Sequence, residues 1–343
     1  MLIRSDIMTN STNVLVTGAG GFIGHHLVTY LKERGYWVRG VDIKYPEFND
    51  TDADEFELLD LRRWENCLRA TEGMDEVYAL AADMGGMGFI SANHAQILHN
   101  NGLINWHTLE AARYNGIKRY LYTSSACIYP EYRQMEANVT PLKEEDAYPA
   151  QPQDAYGWEK LITEQLASYY RQDYGLETRI VRFHNIFGPL GTWDGGREKA
   201  PAAMCRKVAV AKLSGNPGVE IWGDGEQTRS FCYIDDCVVG IYKLMRSDYP
   251  HPLNLGQDRM VTINQLVDIV AEAAGIYVVK NHIDGPQGVR GRNSDNTRLR
   301  KVLGWEPEIS LEEGLARTYA WIEKQVKAKL VIQAEPELAL AAA

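Results

Sequence analysis

The sequence predicts an α/β protein in which a doubly wound parallel sheet is joined to a smaller, interleaved C-terminal domain. Two observations predict this fold class. From residue 13 to about residue 183, short apolar runs alternate with stretches of helical periodicity, and strands that alternate with helices form βαβ units of a parallel sheet. After about residue 188 this alternation gives way to glycine-rich, charged stretches and short strands, which indicate the smaller domain.

Each strand of the sheet is indicated by a short β-branched or aromatic run that ends near glycine or other small residues. In chain order these runs are NVLVTG, YWVRGVDI, EVYALAA, RYLYTSS, TRIVRFHNIFGP and, later, PLNLG. The main helices are predicted in HHLVTYLKERG, NNGLINWHTLEAARYNG and AYGWEKLITEQLASYY. We therefore expect residues 1–187 and 230–256 to form the sheet domain, residues 188–229 and 257–330 the smaller domain, and residues 331–343 a tail.

The composition restricts the class of partner. A net charge of -10 argues against nucleic acid or an anionic membrane as the partner, because both reward clustered Lys and Arg. No apolar run in the sequence approaches the roughly 18 residues that span a bilayer. The five cysteines show no metal-type CxxC spacing, so we expect reduced thiols in a cytoplasmic protein that holds no metal.

The stretch TGAGGFIG has Gly18, Gly21 and Gly24 at the turn from the first strand into the first helix. Glycine there permits a tight turn and close approach to a pyrophosphate, which the helix N-terminus then faces. Asp42 ends the second strand, where its carboxylate can accept hydrogen bonds from ribose hydroxyls. Since a carboxylate repels a 2′-phosphate, this Rossmann-type pattern predicts NAD rather than NADP. Asp60, after the third strand, is a candidate for the adenine amino group or for a helix cap.

Tyr156 and Lys160 are candidates for proton transfer. They lie four residues apart on a predicted helix and therefore share one of its faces. A lysine ammonium near a phenol favours the phenolate, which lowers the phenol pKa from about 10 toward a range useful for a general base. Ser125, at the end of an earlier strand, completes the candidate site.

The motifs TGAGGFIG, LAAD, TSSACIY and YGWEK, in this order, resemble those of the extended short-chain dehydrogenase/reductases, which act mostly on nucleotide sugars. The resemblance covers roughly residues 13–325 and implies cofactor contacts from the glycine turn, which includes Phe22 and Ile23. It also implies that Tyr156 deprotonates a sugar hydroxyl while hydride passes to NAD, that Lys160 holds the nicotinamide ribose, and that Ser125 hydrogen-bonds the reacting oxygen. Members of this family usually dimerise through a helix pair, so a homodimer is expected.

Cys127 lies two residues after Ser125, at a position that faces the sugar in this family. The family's 4,6-dehydratases resemble this region but have a glutamate there, whereas simple 4-epimerases have a non-basic residue. A thiolate favoured by a neighbouring cation can remove the acidified hydrogen beside a ketone. Inversion then requires an acid on the opposite face of the sugar ring, for which GGREKAPAA offers Lys199.

Longer motifs narrow the resemblance. AADMGGMGFI, SSACIYPEY, GGREKAPAA and GDGEQTRSF closely resemble the nucleotide-sugar epimerases that invert carbons 3 and 5 of GDP-mannose. This resemblance implies oxidation at carbon 4 by bound NAD and inversion by Cys127 and Lys199, giving GDP-L-galactose, or GDP-L-gulose when only carbon 5 is inverted. The substrate site that it implies consists of Gly85, Met87, Gly88, Ser125, Ala126, Cys127, Asn185, Glu198, Lys199, Ala200, Lys207, Gln227, Thr228, Arg229 and Arg292. Of these, Lys207, Arg229 and Arg292 suit the diphosphate.

Three interpretations of the function remain open on the sequence. The first is the 3,5-epimerase, and the second is a 4-epimerase or a 4,6-dehydratase of the same fold. The third is a non-catalytic protein that senses NAD. Cys127 in place of a glutamate argues against the dehydratase, and an intact Tyr156 argues against the sensor, because a sensor needs no phenolate.

Overall fold

The computed structural model describes residues 12–286 and 288–341, so the first residues of the predicted sheet domain and the last two of the predicted tail lie outside it. Its strands are β1 (Asn13–Thr17), β2 (Trp37–Asp42), β3 (Glu55–Leu58), β4 (Glu76–Ala79), β5 (Arg119–Ser125), β6 (Glu177–Phe183), β7 (Ile186–Phe187), β8 (Gly218–Trp222), β9 (Thr228–Ser230), β10 (Cys232–Tyr233), β11 (Pro252–Leu255), β12 (Met260–Thr262), β13 (Val279–Ile283) and β14 (Gly291–Arg292). Its α-helices are α1 (Phe22–Lys32), α2 (Trp64–Thr71), α3 (Met87–Ala92), α4 (His94–Tyr114), α5 (Ala155–Tyr174), α6 (Ala200–Ser214), α7 (Ile234–Arg246), α8 (Ile263–Ala274), α9 (Thr297–Leu303) and α10 (Leu311–Ala341).

Seven strands form one parallel sheet in the order β3-β2-β1-β4-β5-β6-β11. The chain builds outward from β1 to β3 and then crosses to the other side of β1, so the direction of winding reverses between β1 and β4. The predicted doubly wound α/β fold is confirmed. In such sheets a ligand binds beyond the carboxyl ends of the strands at the reversal point.

Helices cover both faces of the sheet. Val14 and Val16 of β1 pack in one buried cluster with Leu27 of α1, whereas Leu15, between them, packs with Leu109 of α4 on the opposite face. All three β1 side chains are fully buried. A parallel strand that is buried on both faces requires a continuous apolar run, which explains the sequence NVLVT.

The smaller sheets lie outside the main one. β7 pairs with β10, β8 with β13, and β9 lies between antiparallel β12 and parallel β14. Behind them α6, α8 and α10 pack together through the fully buried Val208, Leu266 and Leu315. The register between β9 and β14 pairs Arg229 with Arg292, so two predicted site residues come from adjacent strands.

Helix α10 continues through Ala341 and thus includes most of the stretch predicted as a tail. Near its middle, Lys329 forms an ion pair with Asp194, in the loop that leads to α6. Within residues 12–286 and 288–341, no helix combines the length and apolar character that crossing a membrane requires.

Candidate active site

The glycine-rich turn follows β1 at the point where the winding of the sheet reverses. Gly18 has a left-handed φ of 71°, and a Cβ on it would lie 2.8 Å from the backbone nitrogen of Ala81, so a side chain does not fit. The hydroxyl oxygen of Thr17 accepts hydrogen bonds from the N–H groups of Leu80 and Ala81, both at 3.1 Å. These contacts join the carboxyl ends of β1 and β4 and place the turn in the crevice beyond them.

Helix α1 begins at Phe22, with Gly21 as its N-cap, and no side chain in the described part of the chain caps it. The first N–H groups of a helix have no partner inside the helix and carry the positive end of its dipole. The N–H groups of Phe22 and Ile23 therefore form an anion site beside the glycine turn, which fits the pyrophosphate of a dinucleotide.

Asp42, the last residue of β2, lies against this turn. Its carboxylate accepts hydrogen bonds from the N–H groups of Gly20 at 3.0 Å and Ile43 at 2.7 Å. Burial raises the pKa of Asp42, and these backbone hydrogen bonds lower it. A carboxylate held at the rim of an anion site can also accept from ribose hydroxyls, so the residues present fit NAD. Gly20 was not predicted as a cofactor residue, although the glycine run contains it.

Asp60 has a partner of its own. Its carboxylate binds the guanidinium of Arg62 at 2.7 Å, and this hydrogen bond lowers the pKa of Asp60. The cap of α2 is Arg63, so Asp60 does not cap that helix. A contact with adenine therefore stays a prediction.

Tyr156 and Lys160 lie at the start of α5, where the Asp154 carboxylate caps the helix by accepting from the N–H of Gly157 at 2.8 Å. The ammonium of Lys160 donates to the carbonyl oxygen of Thr123 in β5 at 2.9 Å. It lies 5.6 Å from the centre of the Tyr156 ring. The predicted pair thus shares one face of α5, directed at the carboxyl end of β5.

Burial dominates the electrostatics of this pair. Burial raises the pKa of the Tyr156 phenol well above its ordinary value. The charge of Cys127 raises this pKa further, whereas the hydrogen bond with Ser125 lowers it. Burial also lowers the pKa of Lys160. The lowering of the phenol pKa expected from the sequence is not found, because desolvation of the phenolate is the largest effect.

Cys127 lies in a short 3-10 turn, Ala126–Ile128, that follows β5 directly. Ser125 shapes the turn, since its hydroxyl oxygen accepts from the N–H of Cys127 at 3.2 Å. Helix α5 approaches the turn so closely that a Cβ on Gly157 would overlap the carbonyl oxygen of Cys127. The glycine in YGWEK therefore allows Tyr156 and Cys127 to come together, and both belong to one apolar cluster with Ile90.

A cation contacts the Cys127 thiol. Nη1 of Arg292 donates to Sγ of Cys127 at 3.3 Å. Arg229, on the adjacent strand, directs its Nη1 and Nη2 to the carbonyl oxygens of Thr228 at 2.7 Å and Val289 at 2.6 Å. Burial lowers the pKa of Arg229 to about 9, with Arg292 acting in the same direction and the charge of Cys127 opposing it. The predicted thiol and two predicted arginines thus lie in one site.

Lys199 precedes the first residue of α6, Ala200, and serves as the N-cap of that helix. Although Lys199 is accessible to solvent, desolvation by the surrounding protein lowers its pKa and the charge of Cys127 raises it. The interaction with Cys127 acts through space, and the role of Lys199 as the opposing acid stays a prediction.

Five of the remaining predicted substrate residues have backbone or ionic partners. The side-chain pairs are Asn185 Nδ2 to Ser230 O at 2.8 Å, Lys207 Nζ to Glu220 O at 2.7 Å, Gln227 Nε2 to Trp222 O at 3.1 Å, Thr228 Oγ1 to Ala137 O at 2.5 Å and Arg206 Nη2 to Glu198 Oε1 at 2.8 Å. Gly85 lies just before α3 and Gly88 just inside its start, and the side chain of Met87 is outside the described part. No cluster of His, Cys, Asp and Glu in the described residues is arranged to hold a metal ion.

Nothing in the sequence indicated a contact between the loop before α3 and the loop before α6. The N–H of Gly86 donates to the carbonyl oxygen of Arg197 at 3.1 Å, and the Arg197 guanidinium lies 3.9 Å from the centre of the Phe89 ring. This contact joins the loop before α3 to the loop that carries Lys199. A lone arginine in a charged loop gives no sequence signal for such a role.

Comparison with known proteins agrees with this geometry. Residues 14–256 match the model of the NAD dependent epimerase/dehydratase family. The chain is 52% identical over 321 residues to GDP-mannose 3,5-epimerase of Arabidopsis thaliana, an alignment that covers 93% of this chain and 84% of that protein.

Solved structures share the fold. The UDP-glucose 4-epimerase of Thermotoga maritima with UDP-glucose superposes with a TM-score of 0.83 and 28% identity, covering 92% of this chain and all of that one. The UDP-glucose 4-epimerase of Thermus thermophilus in complex with NAD has a TM-score of 0.79 and 25% identity, covering 91% of this chain and 99% of that one. The family match and the identity to the Arabidopsis protein agree with the glycine turn and the buried Tyr156 and Lys160. The chain therefore belongs to the NAD dependent epimerase/dehydratase family.

Proposed function

We propose that this protein epimerises GDP-D-mannose at carbons 3 and 5, which yields GDP-L-galactose, or GDP-L-gulose when only carbon 5 is inverted. The observation that carries the proposal is the Cys127 thiol, contacted by the guanidinium of Arg292 at 3.3 Å and clustered with Tyr156. A 4-epimerase requires no base at this position. The relative from Arabidopsis thaliana, at 52% identity, is itself a GDP-mannose 3,5-epimerase.

In the proposed mechanism the glycine turn and Asp42 would hold NAD, which would supply the oxidant and then the reductant for carbon 4. Tyr156 accepts the proton of the carbon-4 hydroxyl, and the Ser125 hydroxyl holds the same oxygen. Burial raises the pKa of the Tyr156 phenol, and a positive charge beside it favours the phenolate that serves as the base. The nearby Lys160 ammonium and the positively charged nicotinamide ring both have the required sign.

Once carbon 4 is a ketone, the neighbouring hydrogens become acidic. The Cys127 thiolate removes the proton from carbon 5 or carbon 3, and Arg292 stabilises that thiolate by charge and by its hydrogen bond. Lys199 then delivers a proton to the opposite face of the ring. Desolvation lowers the pKa of Lys199, which makes its ammonium a better proton donor at neutral pH. Arg229 and Lys207 are proposed to bind the diphosphate.

The proposed function is tested by incubation with GDP-mannose in deuterated water. The wild-type protein should incorporate deuterium at carbons 5 and 3, as measured by NMR. Cys127→Ser should lower that incorporation by about 100-fold or more, because a hydroxyl is far too weak an acid to replace a thiolate as the base. Transient reduction of NAD, read by its absorbance, should persist, since Tyr156 and Ser125 are unchanged.

A matched control is Cys67→Ser. Cys67 is fully buried and its thiol donates to the carbonyl oxygen of Leu61 at 3.1 Å, a hydrogen bond that a hydroxyl can replace. This variant should exchange deuterium at the wild-type rate. Wild-type exchange in Cys127→Ser would remove the thiol from the mechanism. Inversion at carbon 4 alone would identify a 4-epimerase, and loss of carbon 6 oxygen would identify a 4,6-dehydratase.

We further propose a homodimer formed through α4 and α5. These helices are joined by the Asn105 amide, which donates to the Glu159 carboxylate at 2.7 Å. Trp158 and Ile162, one turn apart on α5, form an apolar stripe exposed by 41% and 46%, and Trp106 of α4 is exposed by 45%. Exposed apolar area of this kind supports association with a second copy.

The homodimer is tested with Ile162→Glu, which puts a charge in the stripe. Light scattering after size exclusion should give a mass near twice 38.7 kDa for the wild type and near 38.7 kDa for the variant. Val331→Glu, on the exposed part of α10, is the control and should leave the mass unchanged. A monomeric wild type at micromolar concentration would contradict the proposal.

Two further assignments rest on the same reasoning. We propose that residues 1–187 and 230–256 form the NAD domain and residues 188–229 and 257–330 the substrate domain, because the seven-stranded sheet draws its strands from the first set. We also infer a cytoplasmic location, which is supported by five cysteines that form no disulfide.

A further inference from the structure

We propose that Gln134 is a positioning residue that holds the guanidinium of Arg292 against the Cys127 thiol. The role rests on the proposed function of Cys127 as a base. Gln134 is fully buried, and its Oε1 accepts a hydrogen bond from Nε of Arg292 at 2.6 Å. Nη1 of the same guanidinium donates to Cys127 Sγ at 3.3 Å. One planar group thus connects the amide to the thiol.

The surroundings determine the orientation of the Gln134 amide. Its Nε2 donates to the carbonyl oxygens of Tyr129 at 3.0 Å and Pro130 at 3.2 Å. A carbonyl oxygen can only accept, so the reversed amide would place two acceptors against Oε1 and a donor against Arg292. Oε1 must therefore face the guanidinium, and Gln134 connects it to the turn that carries Cys127.

The backbone of Gln134 binds the residues that lead into Arg292. Its carbonyl oxygen accepts from the N–H groups of Arg290 at 2.9 Å and Gly291 at 3.2 Å. These bonds position β14, whereas the side-chain bond positions the guanidinium. A substitution at Gln134 keeps the backbone bonds and removes only the side-chain bond, so the positioning role can be tested without removing the strand.

Several charged groups act on the Cys127 thiol. Lys160, Lys199 and Arg229 interact with it through space, and the phenol of Tyr156 lies in the same cluster. Arg292 differs from these groups because its N–H points at the sulfur. A long side chain loses that geometry when its fixed acceptor is removed, because its rotamer freedom returns. The hydrogen bond from Arg292 to the sulfur therefore depends on Gln134.

The test replaces Gln134 by Leu, which has a similar volume and no polar atoms. Iodoacetamide at pH 7 is used as the probe, and alkylation of the peptide that contains Cys127 is followed by mass spectrometry. We expect alkylation roughly 10-fold slower than in the wild type, because the sulfur loses the charge-assisted hydrogen bond that stabilises negative charge on it. A residue that only stabilised the turn would have the opposite effect, since a loosened turn exposes the thiol and speeds its alkylation.

The matched control is Gln257→Leu. The Gln257 amide also donates to two carbonyl oxygens, those of Pro307 at 3.2 Å and Ile309 at 3.4 Å, and these partners lie on a different segment from the turn that carries Cys127. This variant should be alkylated at the wild-type rate. If Gln134→Leu fails to fold, as judged by circular dichroism, Gln134→Asn replaces it, because the shorter amide cannot reach both Tyr129 and Arg292.

Substrate measurements complete the test. With GDP-mannose, Gln134→Leu should lose deuterium exchange at carbon 5 by roughly 10-fold while transient NAD reduction persists. Unchanged or faster alkylation of Cys127 would overturn the positioning role, whatever the substrate. Absence of exchange in the wild type would instead overturn the proposed function, and the alkylation result would still report on Gln134 and Arg292.

Discussion

Tyr156 illustrates how a single side chain depends on its surroundings. Its phenol lies in an apolar cluster with Ile90 and Ile97, and it is 6% exposed. Such burial raises the pKa of the phenol, so its action as a base depends on positive charge close to it. The Lys160 ammonium, 5.6 Å from the centre of the ring, is such a charge.

At the residue scale, Tyr156→Phe should lower turnover of GDP-mannose by about 10²- to 10⁴-fold, because it removes the general base. The variant should retain bound NAD, measured by extraction and mass spectrometry. Tyr120→Phe is the matched control, since Tyr120 is fully buried and its hydroxyl has no hydrogen-bond partner among the described residues. Turnover of Tyr156→Phe within a few-fold of the wild type would contradict the role of this phenol.

At the scale of elements, the approach of α5 to the turn after β5 determines the shape of the site. Helix α5 carries Tyr156 and Lys160, and the turn carries Cys127. Their separation is set by Gly157, where any Cβ would overlap the Cys127 carbonyl oxygen. The glycine is therefore required for the packing of two elements rather than for a special backbone angle.

Gly157→Ala should therefore destabilise the fold by about 1–3 kcal/mol, the usual cost of forcing extra volume into packed structure. It should also reduce turnover, because the helix and the turn must separate. Gly102→Ala in α4 is the control, since its Cβ would meet only ordinary contacts at 3.6 Å and alanine favours a helix interior over glycine. Both free energies of unfolding are measured by urea titration. Equal stability of the two variants would contradict the close contact assigned to Gly157.

At the scale of the whole molecule, a buried polar network joins α5 to the far edge of the sheet. Arg182 of β6 pairs with Glu164 of α5 at 2.7 Å and also donates to the Tyr129 hydroxyl at 3.1 Å. That hydroxyl donates to Asn254 of β11 at 2.6 Å, and His184 shares the same Asn254 oxygen at 3.0 Å. The network is buried, so each member must keep its protonation state for the fold to persist.

His184 makes this network sensitive to acid. Burial lowers its pKa to about 3, against 6.5 for an ordinary histidine. Above pH 6.5 the imidazole is neutral in both folded and unfolded chains. As the pH falls from 6.5 toward 3, only the unfolded chain gains this proton, so folding stability is lost by up to about 1.4 kcal/mol per pH unit.

His184→Gln should remove that part of the pH dependence. It is measured as the slope of the free energy of unfolding against pH between about 4 and 6, a range that lies within the one where only the unfolded chain gains the proton. The control is His282→Gln, because His282 makes a similar hydrogen bond, to Asn264 at 2.9 Å, but is exposed. A slope equal to that of the wild type in His184→Gln would show that other groups cause the acid loss.

The sequence alone determined the local features of this protein. Alternating apolar runs and helical stretches predicted the parallel sheet, because strand and helix periods are properties of consecutive residues. The glycine turn and Asp42 predicted the dinucleotide site, and the spacing of Tyr156 and Lys160 predicted their shared helix face, since both follow from one strand or one turn of helix.

Only the tertiary structure decided what surrounds those residues. Arg292 reaches the thiol of Cys127 across a sequence separation of 165 residues, and Gln134 reaches Arg292 across 158. No periodic pattern links residues so far apart, because their contact depends on how whole elements pack. Burial also raises the pKa of Tyr156, which the sequence predicted to be lowered. Desolvation depends on every neighbour in space rather than on a partner four residues away.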